Sequence, residues 1–172
     1  MSLPAPAIET PEEKVARLNV ELRGADAQAI IRAAVREFGR SLSYVSSFGA
    51  ESSAMLGLIA EVDPGMPIIF IDTGMHFQQT LQYRDQLVQQ LGLTDLRNVT
   101  PNDDERKAVD PKGLLHRTDP DACCEVRKVR PLDHHVRARR ASARAPPRPH
   151  RQQQRHHDAP LCAPPPHRSS AT

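Results

Sequence analysis

The chain has 172 residues, a formal net charge of +2 and six aromatic residues, none of them tryptophan. That length suits one ordinary domain, and the absence of any apolar run of spanning length argues against a membrane protein. The near-neutral total hides a division: residues 137–172 carry +7 in an Arg/Pro/Ala/His-rich string with no aromatic, whereas residues 1–136 carry −5.

In chain order, Thr10-Pro11-Glu12-Glu13 has the form of a helix start, with Thr10 as cap, Pro11 in the first turn and Glu13 completing a capping box. Val15, Leu18 and Leu22 follow at helical spacing. The next helix spans about 26–38, with Ile31, Ala34, Val35 and Phe38 as its buried stripe and Gly39 as its stop. Leu42 to Phe48 reads as a first strand and "GAESS" as a turn. Met55, Leu58, Ile59 and Val62 mark another helix, which Asp63-Pro64-Gly65 ends. "MPIIFI", residues 66–71, is a continuous apolar run, as expected of a parallel strand covered on both faces. "DTGMH" is a turn, and a helix over about 77–91 follows, with Phe77, Leu81, Val88 and Leu91 on one side and Gly92 at its end. Residues 95–100 read as a third strand, 101–120 as a polar surface loop, and about 121–135 as a closing helix. The alternation predicts an α/β fold: a Rossmann-like, doubly wound parallel sheet with right-handed crossovers.

Ligands of such sheets bind beyond the carboxyl ends of the strands, and two turns fall there. Ser46-Ser47-Phe48-Gly49-Ala50-Glu51-Ser52 supplies small residues, hydroxyls and a helix N-terminus, where backbone N–H groups favour an anion. Asp72-Thr73-Gly74 places an acid where ribose or base could be hydrogen-bonded. Each alone is also an ordinary strand-to-helix turn. Together they point to a nucleotide-type ligand, and neither has the spacing of a P-loop or a dinucleotide fingerprint.

Two of the three cysteines are adjacent, in Asp121-Ala122-Cys123-Cys124-Glu125-Val126-Arg127-Lys128. Thiolates bind iron or zinc, and a basic pair within one helical turn favours the thiolate. If Asp121 caps the helix, both cysteines sit in its first turn. The bland alternative is two small half-buried residues beside a solvated basic pair.

"SSFGAES", "IDTG" with its following aromatic and Thr, and "DPDACCEVRKVRPL", in this order and spacing, resemble the assimilatory sulfonucleotide reductases, which act on adenylyl sulfate or phosphoadenylyl sulfate in sulfate assimilation on the route to cysteine. The resemblance covers about residues 10–136. It implies a sheet of the adenine-nucleotide alpha hydrolase (PP-loop) type. It implies that Ser46, Ser47, Phe48, Gly49 and Ser52 form the loop around the phosphosulfate and that Asp72, Thr73 and Gly74 border the adenosine. It also implies that Cys123 and Cys124 are two ligands of a [4Fe-4S] cluster, with Lys128 near cluster and sulfate. The implied reaction is reductive cleavage of adenylyl sulfate, or its 3′-phosphorylated form, to sulfite and AMP or PAP. Thioredoxin or glutaredoxin is the implied donor, and the implied location is cytoplasmic. An ATP-pyrophosphatase-type adenylylating enzyme and a non-catalytic nucleotide- or zinc-binding remnant are the alternatives.

The sequence also departs from that family. It has neither the second ligand pair, a downstream Cys-x-x-Cys, nor the Glu-Cys-Gly that carries the nucleophile, and Cys162 lies in "PLCAPPPH". Gln78-Gln79 replace the usual Pro-Glu. No catalytic residue is therefore assigned, and the chain itself is expected to be inactive. Residues 1–136 are expected to form a partial reductase domain with an exposed edge. Residues 137–172 are expected to be a disordered tail, read as out-of-frame translation rather than a nucleic-acid-binding arm, since it lacks aromatics to stack on bases.

Overall fold

The computed structural model describes residues 9–144, with side chains described as far as residue 140. Helix α1 (Pro11–Glu21) starts as its sequence dictates: the Glu13 N–H donates to Thr10 Oγ1 at 3.2 Å, and the Thr10 N–H donates back to a Glu13 carboxylate oxygen at 2.9 Å. Asp26 caps α2 (Ala27–Phe38) by accepting the Ala29 N–H at 2.7 Å. Then come β1 (Tyr44–Val45), α3 (Ala50–Val62), β2 (Ile68–Ile71), α4 (Gln78–Leu91) and β3 (Leu96–Val99). The three strands are parallel in the order β1-β2-β3, with Tyr44 opposite Ile68, and Ile71 opposite Val99. The expected parallel α/β sheet is therefore present. The order advances one way across the described strands, so the reversal of a doubly wound sheet is not among them.

The centre of the fold is β2. Ile68, Ile69 and Phe70 are almost completely buried; Ile68 and Phe70 share one face and pack with Leu56 and Ile59 of α3, beside which α2 lies. Phe48, Leu56, Ile59, Met66 and Leu93 complete that core. Strand β1 is shorter than the apolar run 42–48 suggests. The Ser46 N–H still reaches the Ile69 carbonyl at 2.9 Å, but Phe48 then adopts a left-handed φ of 56°, and the chain leaves the sheet.

Some side chains sit elsewhere than periodicity places them. Phe38, expected in the α2 stripe, is 45% exposed, with the Lys14 ammonium 5.8 Å from its ring centre, and Ala33 is the buried residue of that helix. Phe77 is 79% exposed because it is the cap of α4 and precedes its first turn. In α3 Ile59 is buried as expected, but Leu56 is its fully buried partner, while Met55 is 36% exposed at the mouth of a hollow beside α2.

The expected loop 101–120 contains two helices, α5 (Asp103–Val109) and α6 (Leu115–Thr118). Asn102 caps α5 by accepting the N–H groups of Asp104 and Glu105, and acids in its first turn and bases in its last suit the helix dipole. None of its residues is buried, so it carries no apolar period to read. The closing segment is α7 (Pro120–Cys124), one wide π-helical turn at Glu125–Val129, and α8 (Arg130–Arg144). Pro131 explains the wide turn: it has no N–H for the Arg127 carbonyl, and its ring crowds that oxygen. Helix α8 runs past residue 136, the expected end of the ordered domain, with Arg137 paired to Asp133 and Arg139 donating to the Arg40 carbonyl. The expectation of disorder otherwise falls on residues 145–172, outside the described residues.

Candidate functional site

A hollow of about 200 Å³ opens at the carboxyl ends of β1 and β2, lined by Val45, Ser46, Ser47, Phe70, Ile71, Thr73, His76 and Lys128. Four residues singled out from sequence therefore meet there: Ser46 and Ser47 from the first turn, Thr73 from the second and Lys128 from the π turn. Elements distant in sequence supply them, and the parallel sheet brings their turns to one end.

The first turn is tightly organised. Ser46 is buried and its Oγ accepts the Phe48 N–H at 3.0 Å. The Ser47 and Ser52 hydroxyls lie 3.3 Å apart, and the Gly49 N–H points to Ser47 Oγ at 3.4 Å. Gly49 caps α3 without a side-chain partner for the helix's first N–H groups. An anion seated there meets hydroxyls and free backbone donors together. Phe48 does not line the hollow, contrary to its expected place at the ligand. Its ring is in the core, edge-on to Phe70 with centroids 5.6 Å apart, and its contribution to the turn is the left-handed backbone.

In the second turn Asp72 Oδ1 accepts the Gly74 N–H at 2.9 Å, and Thr73 Oγ1 accepts the Met75 N–H at 3.3 Å. Gly74 has φ 70°, a conformation that a side chain there would strain. Asp72 thus shapes the turn through its own carboxylate, and neither Asp72 nor Gly74 is among the lining residues. His76, which sequence reasoning missed, forms one wall. Its ring lies 4.9 Å from that of Phe70, and Nε2 is 3.0 Å from the Ile71 carbonyl oxygen. A carbonyl only accepts, so the proton of the neutral ring sits on Nε2. The only sequence signal for His76 was its place directly after the glycine turn.

The cysteine segment is capped by Asp119 and not by Asp121: Asp119 Oδ1 accepts the Ala122 N–H at 3.0 Å, with Pro120 at the first helical position. Cys123 and Cys124 therefore sit at the end of a short helix, beyond its first turn. Cys123 is buried and Cys124 is exposed, both as free thiols. Arg127 is not the thiolates' counter-ion. Its guanidinium is buried and bound to Asp110 Oδ2 and to the Thr73 carbonyl, both at 3.0 Å. Burial pushes the Asp110 carboxyl up, but the hydrogen bonds from Arg127 and from the Leu115 and Leu114 N–H groups outweigh it and hold the group below the usual carboxylate range. Lys128 is exposed at the rim of the hollow.

A wider hollow of about 440 Å³ lies at the opposite end of the sheet, with Arg40, Asp63, Asp95, Arg97 and Arg139 around it. It is remote from both serine and glycine turns, and parallel sheets bind ligands at the other end.

The parallel α/β sheet thus brings a hydroxyl-rich turn and a glycine turn to one end of its strands, with Lys128 of the cysteine segment beside them. The chain belongs to the phosphoadenosine phosphosulfate reductase domain family, which matches residues 41–159. It is 49% identical over 104 residues to the adenosine 5′-phosphosulfate reductase of Mesorhizobium japonicum, covering 60% of this chain and 41% of that one. It is 46% identical over 108 residues to the enzyme of the same name from a Chelativorans species, covering 62% and 44%. The chain thus spans under half the length of these two relatives. A solved phosphoadenylyl-sulfate reductase from Candida auris, in a phosphate complex, shares the fold with a TM-score of 0.62 at 24% identity, over 77% of this chain and 65% of that one.

An iron–sulfur cluster of the expected kind needs four thiolates. Among the described residues no group of three or more His, Cys, Asp or Glu comes together to hold a metal ion. The described residues therefore do not fit a complete cluster site, and Cys123 and Cys124 supply half of one at most.

Proposed function

We propose that this chain carries the nucleotide-and-anion half of a sulfonucleotide reductase site, with adenylyl sulfate or phosphoadenylyl sulfate as its ligand. The carrying observation is the meeting of Ser46, Ser47, Thr73 and Lys128 around one hollow at the strand ends. On this reading the serine turn holds the phosphosulfate, the Asp72-Thr73-Gly74 turn borders the adenosine, and the Lys128 ammonium faces the sulfate. The names of the relatives support this reading. In the complete reaction a cysteine thiolate attacks the sulfate sulfur, the sulfur–oxygen bond to phosphate breaks and AMP leaves. A dithiol donor of the thioredoxin or glutaredoxin kind then displaces sulfite from the S-sulfocysteine and is itself oxidised. The Glu-Cys-Gly motif expected to carry that thiolate does not occur in this sequence.

Calorimetric titration of the full chain with adenylyl sulfate, AMP and adenosine tests the proposal, with sulfite release measured alongside. Binding of adenylyl sulfate without sulfite release is expected. Lys128→Ala is expected to weaken adenylyl sulfate about tenfold, or about 1.4 kcal/mol, and to leave adenosine unchanged. An equal loss for both ligands, or no binding to the parent chain, overturns the reading.

A further inference from the structure

Two charged side chains are buried among the described residues, Asp110 at 4% exposure and Arg127 at 6%, and they are bonded to each other. Replacing a buried ion pair by apolar residues often leaves stability unchanged or raises it, so stability is a weak reason for this one to exist. Its connections suggest another. Asp110 follows α5, and its Oδ1 accepts the Leu114 and Leu115 N–H groups at 2.7 and 3.3 Å. Its Oδ2 takes one arm of the Arg127 fork, and the other arm donates to the Thr73 carbonyl. Arg127 Nε has no hydrogen-bond partner among the described residues.

A guanidinium is planar and rigid, so fixing one arm decides where the other can reach. Asp110 is anchored independently through two backbone N–H groups. It can therefore aim Arg127 at Thr73, and with it set the spacing between the glycine turn and the segment that carries Cys123, Cys124 and Lys128. Asp110 itself does not line the hollow. We infer that Asp110 is a positioning residue of the site: through Arg127 it holds Thr73 and Lys128 at one hollow, around one ligand. The ligand-binding part of this inference rests on the nucleotide reading given above.

The test is hydrogen exchange on the full chain and on Asp110→Asn, Arg127→Lys and the double variant, together with AMP titration. Asp110→Asn keeps the shape and removes the charge; Arg127→Lys keeps the charge and removes the fork. Each single change is expected to raise exchange about tenfold in segments 72–76 and 123–129 together while β2 stays protected. AMP affinity is expected to fall several-fold, and the double variant to be no worse than either single one. If protection falls evenly through β2, the pair is merely structural and the inference fails; if neither segment responds, it also fails. Should Asp110→Asn not fold, Arg127→Lys decides by the same exchange pattern. A parent chain that does not bind AMP removes the nucleotide reading, and the exchange result still decides whether Asp110 positions the two segments.

Discussion

At the scale of single residues, neighbours in sequence have unequal surroundings. Cys123 is 9% exposed, packed at the base of the short helix that Asp119 caps, while Cys124 faces solvent one residue later. Thiol chemistry requires access as well as a thiolate. Native-state alkylation with iodoacetamide, read by mass spectrometry of the peptide spanning both, is expected to modify Cys124 and to reach Cys123 only after denaturation. Equal rates for the two would contradict the burial described. The same scale shows what local pattern can reveal. Ser46, Ser47 and Thr73 were legible because each lies in a turn whose position follows from strand and helix order, and Lys128 because its segment resembles that of the reductase family. Phe48 was not: inside a turn, side-chain direction has no period, and only its positive φ sends the ring inward. The Asp110–Arg127 pair was not legible either, because nothing within a few residues of Asp110 marks its partner 17 positions on.

At the scale of elements, α1 is held differently from the rest. It has no buried residue, and it joins α2 through Lys14 to Glu37, Arg17 to Glu37 and Arg36 to Glu21. The hydrogen bonds from Lys14 and then Arg17 hold the Glu37 carboxyl below its ordinary range. A folded-state value lowered in this way contributes stability above the unfolded value, near 4, and loses it as pH falls through the folded one. Ionic strength acts in the same direction, since at about 1 M salt screening extends only about 3 Å. Protection of α1, taken relative to the intrinsic amide exchange rate at each pH, is therefore expected to fall in molar salt, and again on acidification below about pH 4, before it changes in β2. An α1 that holds its protection under both conditions would show that its few apolar contacts, not its charges, fix it. The helices that sequence reasoning found have either an apolar stripe, buried or half-buried against the core, or a capping box; α5 has neither, and its Asn102 cap within a run of charges reads equally well as loop. The π turn was hidden for a related reason. It changes the helical ladder without changing the residue pattern, and only Pro131 hints at it.

At the scale of the whole molecule, the described sheet is finished on one side of β2 by β3 and on the other by only the two residues of β1. Beside β1 lies an open apolar hollow of about 220 Å³, between α2 and α3, with Ile30, Ile31, Leu42, Met55 and Met66 in its walls. Ile30 and Met55 are 45% and 36% exposed there. A strand with unpaired groups beside exposed apolar surface is a template for self-association. The charge division offers a rival cause, since residues 1–136 at −5 and residues 137–172 at +7 could attract one another between molecules. The two respond oppositely to salt: charge attraction is screened, while a salt such as ammonium sulfate strengthens apolar association. The apolar edge is expected to dominate. Light-scattering mass should then rise with protein concentration and rise further in sulfate, and Ile30→Lys with Met55→Lys should return the chain toward monomer. Association that sodium chloride abolishes and the two lysines leave untouched would assign it to the charges instead. In that case the edge beside β1 is tolerated because its strand is too short to hold a register with another chain.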